Sequence, residues 1–151
     1  MARNAQLSEL AESNETCRLL MTAPGVGPVV AARMVSAVDD ISRFKTAHAL
    51  ESYLGLTPGE RSSGQTQRRT GLTKAGPTAV RSALVQGCWT ILRVYKDEPM
   101  HAWAMQVAER RGKKVAVCAL ARKLVGILFA MWRDNTPYDS TRQRSEVTAT
   151  N

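Results

Sequence analysis

Along most of the chain apolar residues recur every three or four positions, the spacing of one helix face. Leu7, Leu10, Cys17, Leu20 and Met21 predict a first helix over about 7–22. Ala23-Pro24-Gly25-Val26-Gly27-Pro28 interrupts the pattern with a short break. Val30, Met34, Val35 and Val38 then restart a helical register over 29–38. Pro28 suits the first turn of that helix, where its missing N–H costs nothing. Asp39-Asp40 stops it. Ile41 and Phe44 precede a short helix over about 46–54, with Thr46 as its N-cap. Gly55 can close it in a left-handed conformation.

The pattern then lapses. From Glu60 to Gly76 the chain is polar and has no period, so a loop over about 57–76 is expected. That length inside a small domain points to a functional or disordered segment. Helical periodicity returns over Pro77–Tyr95, with Val80, Leu84, Val85, Cys88, Ile91 and Leu92 on one side. Pro99 opens another helix that runs to Arg111, with Gly112 as its cap. Val115–Arg133 is the most apolar, with Val117, Ala121, Leu124, Leu128 and Met131 in one stripe, and Asn135-Thr136-Pro137 ends it. No segment alternates as a strand does. The expected fold is all-α: a helix-hairpin-helix over about 7–38, the long loop at 57–76, and a small helical bundle over 77–134, within a domain of 5–137. Residues 138–151 form an expected flexible tail.

Charge adds a partner class to this picture. In 151 residues there are 21 Lys and Arg against 13 Asp and Glu, a net charge of +8. Such an excess favours a polyanion, nucleic acid before a membrane surface. Three cysteines without CxxC spacing exclude a fully paired disulfide framework and argue against a zinc site. Cys17, Cys88 and Cys118 all sit in helical patterns and are expected as reduced core residues. The start has no apolar signal-peptide region, and Arg122 and Lys123 interrupt the longest apolar run. A cytoplasmic protein without a membrane partner is expected.

Two features carry candidate chemistry. Gly25 and Gly27 can adopt positive φ and present no Cβ, and the next helix offers unpaired N–H groups, so the hairpin could hold a nucleic-acid phosphate. A tight helix–helix turn that only packs is the alternative. The second feature is charge without counter-charge. Arg61, Arg68, Arg69, Lys74 and Arg81 have no acid among them, nor do Arg110, Arg111, Lys113, Lys114, Arg122 and Lys123. Basic residues in a Gly/Ser/Thr loop suit phosphate contacts. Those on helices, including Lys113 and Lys114, form either a binding face or a solvated one. Arg122 and Lys123 must reach out of an apolar helix or pair with an anion. Ser62-Ser63-Gly64 lies within the first basic run, where Gly64 leaves room for a sugar-phosphate strand. A serine there needs activation, and nearby guanidiniums could stabilise charge on a reacting phosphate. His48 and His101 are isolated and read as ordinary surface or core residues. Trp89, Trp103 and Trp132 read as core or interface.

The order of motifs is more specific than any one of them. Ala-Pro-Gly-Val-Gly-Pro is followed by Ile-Ser-Arg-Phe-Lys, Tyr-Leu-Gly-Leu-Thr-Pro, Arg-Ser-Ser-Gly and Gly-Leu-Thr-Lys-Ala-Gly. Arg-Arg-Gly-Lys-Lys, Ala-Leu-Ala-Arg-Lys-Leu and Thr-Pro-Tyr-Asp come next. This series, over about Leu19 to Asp139, resembles the C-terminal, serine-bearing transposase domain of the IS110 (IS116/IS110/IS902-type) insertion-sequence family. The resemblance implies a DNA recombinase whose serine attacks the scissile phosphate. It places that role on Ser63, with Ser62 as the alternative, and implies a phosphoserine–DNA intermediate. Arg61, Arg68, Arg69 and Lys74 would touch nucleic-acid backbone near it. A structured guide RNA is the implied second partner.

The family pairs this half with an N-terminal RuvC-like half whose acidic residues hold magnesium. No such half is present here, and Asp39, Asp40 and Glu60 do not replace its acidic cluster. No metal or cofactor site is expected in this chain, and alone it should bind nucleic acid without catalysing strand cleavage. Docking onto the other half or self-association into a homo-oligomer is expected from the apolar last helix. The alternative is a non-catalytic helix-hairpin-helix module that binds DNA or RNA. A base-excision glycosylase is weaker, because Asp39-Asp40 has no partner lysine at hairpin distance.

Overall fold

The computed structural model describes residues 2–56 and 77–141. Within them the chain is helical, with no strand among the described residues. Seven α-helices follow in order: α1 (Ala2–Ser13), α2 (Glu15–Leu20), α3 (Pro28–Val38), α4 (Ala47–Tyr53), α5 (Pro77–Val94), α6 (Pro99–Arg111) and α7 (Lys113–Asp134). A single 3-10 turn, Ile41–Arg43, joins α3 to α4.

The first predicted helix is in fact two. Asn14 takes extended backbone angles and its side-chain oxygen accepts the Cys17 N–H at 2.9 Å. That satisfies a donor left over at the start of α2, so the chain breaks and restarts there. The predicted apolar stripe shifts accordingly. Leu10 is 46% exposed, and Ala11 is buried in its place.

Other ends follow the turn chemistry in the sequence. Pro28 and Pro99 open α3 and α6 at the first helical positions. Thr46 accepts the Ala49 N–H through its hydroxyl, capping α4. Gly55 has φ +73°. Its N–H reaches the Ser52 carbonyl and the Leu56 N–H reaches that of Glu51, a complete left-handed close to α4. Asn135, at φ 54°, ends α7 in the same region.

The long apolar helix α7 is the centre of the molecule. It packs against α2, α4, α5 and α6, while α1 and α2 pack on α3, and α3 on α5. Ala121, Leu124 and Leu128 are fully buried, as are Met34, Leu84 and Ile91 from the helices around them. α7 has the length and composition to cross a membrane, but over half of that apolar window is buried inside the protein, as a core helix requires. Trp89, Trp103 and Trp132 are half-buried and pack onto the same core. Beyond α7, Tyr138 returns to the body. Its N–H donates to the Thr22 hydroxyl at 2.9 Å and its own hydroxyl donates to Glu98 at 2.7 Å.

The cysteines divide. Cys17 and Cys88 are buried, as expected, whereas Cys118 is exposed. It lies on α7 beyond the stripe of Val117, Ala121 and Leu124 that faces the core. Burial pushes the Cys88 thiol up to about 12, with the neighbouring Cys118 adding to the rise, and burial raises Cys17 as well. Maleimide at neutral pH should therefore label the folded chain rapidly at Cys118 alone, and at all three thiols in denaturant. Mass spectrometry of the labelled peptides checks this. Equal rates at Cys88 and Cys118 in the folded chain would contradict the packing.

Candidate functional site

The turn between α2 and α3 runs from Met21 to Gly27. Gly25, at φ +78°, faces inward and not to solvent. A Cβ there would lie 2.6 Å from the Gly87 carbonyl oxygen, and one on Gly87 would lie 2.5 Å from that of Gly25. Two backbones meet where neither carries a side chain, so the turn is pressed onto α5. Packing against α5 accounts for the missing Cβ at Gly25. Gly27 differs: it has φ −96° and nothing within 4 Å of a Cβ placed on it. It stands before α3 with no side-chain cap. The open N–H groups of the turn are thus at Gly27 and the first turn of α3.

Arg81 sits half-buried in the second turn of α5. Its Nη1 lies against the bare Cα of Gly55, 2.5 Å from where a Cβ would stand. Lys113 and Lys114 are exposed at the start of α7, directly after exposed Arg110 and Arg111 at the end of α6. Gly112 between the helices has φ +92° and open space around it. No acidic residue occupies the first turn of α7 to balance these charges. Nine residues separate Lys113 from Arg122, about 14 Å along the helix. Of the predicted site cations that are described, Arg81 therefore lies by the end of α4 and Lys113 and Lys114 at the α6–α7 turn.

Among the described residues, Arg122 and Lys123 form no ion pair with a carboxylate. Both are half-buried. Arg122 donates from Nη1 to the Leu56 carbonyl at 3.2 Å. Lys123 places its ammonium 4.9 Å from the centre of the Trp103 ring, a cation–π contact. With Glu51, Ala130 and Thr136 they line a cavity of about 470 Å³ between α4 and α7. Burial raises the Glu51 carboxyl above its ordinary range, against the opposing pull of His48 and Arg122.

Arg33 is a site residue that the apolar pattern did not bring forward. It is the lone charge in α3, half-buried, and its Nη1 donates to the Ala79 carbonyl at 3.4 Å. A single cation inside an apolar helix was the available signal. Arg61, Ser62, Ser63, Gly64, Arg68, Arg69 and Lys74 fall in 57–76, outside the described residues.

Among the described residues, no three of His, Cys, Asp and Glu come together as metal ligands. The Asp40 carboxylate is engaged by the Ser42 N–H and hydroxyl, at 2.9 and 2.8 Å. These hydrogen bonds hold its pKa below the usual range.

Residues 17–104 match the model of the Transposase IS116/IS110/IS902 family. The chain belongs to that family. Among curated relatives, the transposase for insertion sequence element IS1111A of Coxiella burnetii is 33% identical over 128 residues, 83% of this chain and 35% of that protein. A putative transposase of Sinorhizobium fredii, y4qE, is 37% identical over 134 residues, 73% of this chain and 34% of its own length. The pilin gene-inverting protein of Moraxella bovis is 31% identical over 131 residues, 85% of this chain and 40% of that protein. The chain thus spans about a third of the length of these curated relatives. No solved structure matches it. The family match runs through 57–76, so the basic serine segment lies within the shared region.

Proposed function

We propose that the chain is the serine-bearing, DNA-binding part of an insertion-sequence transposase. The observation that carries this reading is family membership across residues 17–104, a span that includes Arg61-Ser62-Ser63-Gly64. The net charge of +8 and the cations Arg81, Lys113 and Lys114 on the helical body support it. Ser63 is the nucleophile, with Ser62 the alternative. Its oxygen forms a bond to phosphorus of the scissile phosphodiester, and the strand leaves with a 3′-hydroxyl. A phosphoserine linkage keeps the bond energy for rejoining. Arg61, Arg68, Arg69, Lys74 and Arg81 hold backbone phosphates around that point, Gly64 admits the strand, and Gly27, Lys113 and Lys114 contact nucleic acid further out. Gly25 supports the turn from beneath.

Magnesium belongs to the acidic portion of such a transposase, and no step in this chain runs through it. DNA and a structured guide RNA are the partners, in a cytoplasmic assembly of more than one copy.

The test is a covalent adduct. With the N-terminal portion of a family member, guide RNA, magnesium and DNA supplied, Ser63→Ala should reduce the protein–DNA adduct below detection. Ser62→Ala should leave it. The reverse result moves the nucleophile to Ser62. An adduct that survives both changes removes the serine mechanism. Salt-sensitive DNA binding with no adduct in the unmodified protein favours the non-catalytic binding module instead.

A further inference from the structure

Three arginines from three helices contact residues that flank the 57–76 connection. Arg122 of α7 donates to the carbonyl of Leu56, the last residue before it. Arg81 of α5 lies on Gly55, one residue earlier. Arg33 of α3 donates to the carbonyl of Ala79, in the first turn of α5. All three side chains are half-buried. Each guanidinium has five N–H donors. The protein contacts on Arg33 and Arg122 run through one terminal nitrogen apiece, and Arg81 makes only its close approach to Gly55. Among the described residues none of them forms an ion pair, the one such pair being Arg133–Asp134. Glu51 interacts electrostatically with Arg122 across the cavity between α4 and α7.

Each of the three is a half-buried guanidinium with N–H donors left over. Their fixed planar donors match the paired oxygens of a phosphodiester. The carbonyl bonds orient Arg33 and Arg122 and leave the remaining donors open. We propose that Arg33, Arg81 and Arg122 together form a phosphodiester-binding site at the root of the 57–76 connection, for the backbone of a nucleic-acid strand. The proposal rests on the nucleic-acid reading above but not on the serine chemistry. Arg33 and Arg122 are positioning residues for the strand. The site needs Gly55, because a side chain there would displace the Arg81 guanidinium.

The experiment measures binding of the 151-residue chain to duplex DNA and to an RNA hairpin by fluorescence anisotropy, over a series of salt concentrations. Each phosphate neutralised contributes about 0.9 to the slope of log K against log salt on duplex DNA. The triple variant Arg33→Gln, Arg81→Gln, Arg122→Gln should flatten that slope by about 2–3. The triple Arg→Lys variant keeps the charge and should restore most of it. A role confined to capping carbonyls would alter thermal stability and leave the slope alone. Among the described residues Arg81 makes no hydrogen bond, so Arg81→Gln keeps the described hydrogen bonds intact, with an expected fall in slope of about 0.9. A loss on one probe and not the other identifies whether DNA or RNA occupies the site. Unchanged slopes on both probes in the Arg81 variant and the folded triple variant would overturn the proposal while leaving the serine reading intact. A flattened slope with no adduct in the assay above would do the opposite. A wild-type chain that binds neither probe removes both the site and the nucleic-acid reading.

Discussion

Gly87→Ala should destabilise the chain by about 1–3 kcal/mol, the range for forcing a group into a filled space. In an exposed helix the same change would stabilise by about 1 kcal/mol, because alanine loses less backbone freedom on folding. Here the sign reverses. The new Cβ would stand 2.5 Å from the carbonyl oxygen of Gly25, a backbone atom that cannot swing aside. The turn would have to lift from α5. Gly25→Val should be worse still. It adds contacts of 2.6 Å to the Gly87 oxygen and 2.8 Å to Ile91, at a φ of +78° that a β-branched residue resists. Gly27→Ala should be near neutral for stability, since no atom lies within 4 Å of its Cβ position. Thermal unfolding of the three variants checks the series, at roughly 2–4 °C per kcal/mol for a chain this size. A Gly87→Ala protein as stable as the parent would show that the turn and α5 do not touch as described.

Leu124→Ala should cost about 2–5 kcal/mol, because the side chain is removed from a site with no access to solvent. Leu124 lies mid-way along α7, which packs against α2, α4, α5 and α6. A void there removes contacts from several helices at once, and partial collapse around it sets the cost. Leu124→Met keeps most of the volume and should cost less than about 1.5 kcal/mol. Urea unfolding separates the two. A shift of under about 1 kcal/mol for the alanine variant would place the centre of the core elsewhere.

The all-helical architecture was legible because its apolar spacing is strong and its boundaries carry local chemistry. Pro28, Thr46, Gly55, Pro99 and Asn135 each act where their backbone preferences place them. The break at Asn14 was harder to see. A capping side chain competes with helix continuation on nearly equal terms, and periodicity either side of it hides the restart. The exposure of Cys118 depends on which way α7 is turned against its neighbours, information that a run of small apolar residues does not hold. The close approach of Gly25 to Gly87 was not legible, because a glycine that admits a phosphate and one that admits another helix look the same in sequence. The basic character of the site was legible as a charge excess. Where the cations end up is a tertiary fact: Arg33, Arg81 and Arg122 are up to 89 positions apart (122 − 33) and reach Ala79, Gly55 and Leu56 only through the packing of their helices.

The bond from Tyr138 to Thr22 joins residues 116 positions apart. A ribosome delivers Thr22 long before Tyr138, so during synthesis the α2–α3 turn waits, its outer hydroxyl facing water, until the stretch beyond α7 emerges. The helix that follows all the other described ones, α7, is also the one that α2, α4, α5 and α6 pack around. Early segments can form helices as they appear, but their shared interior closes late, and a nascent chain stalled before α7 would present its apolar faces to whatever is near.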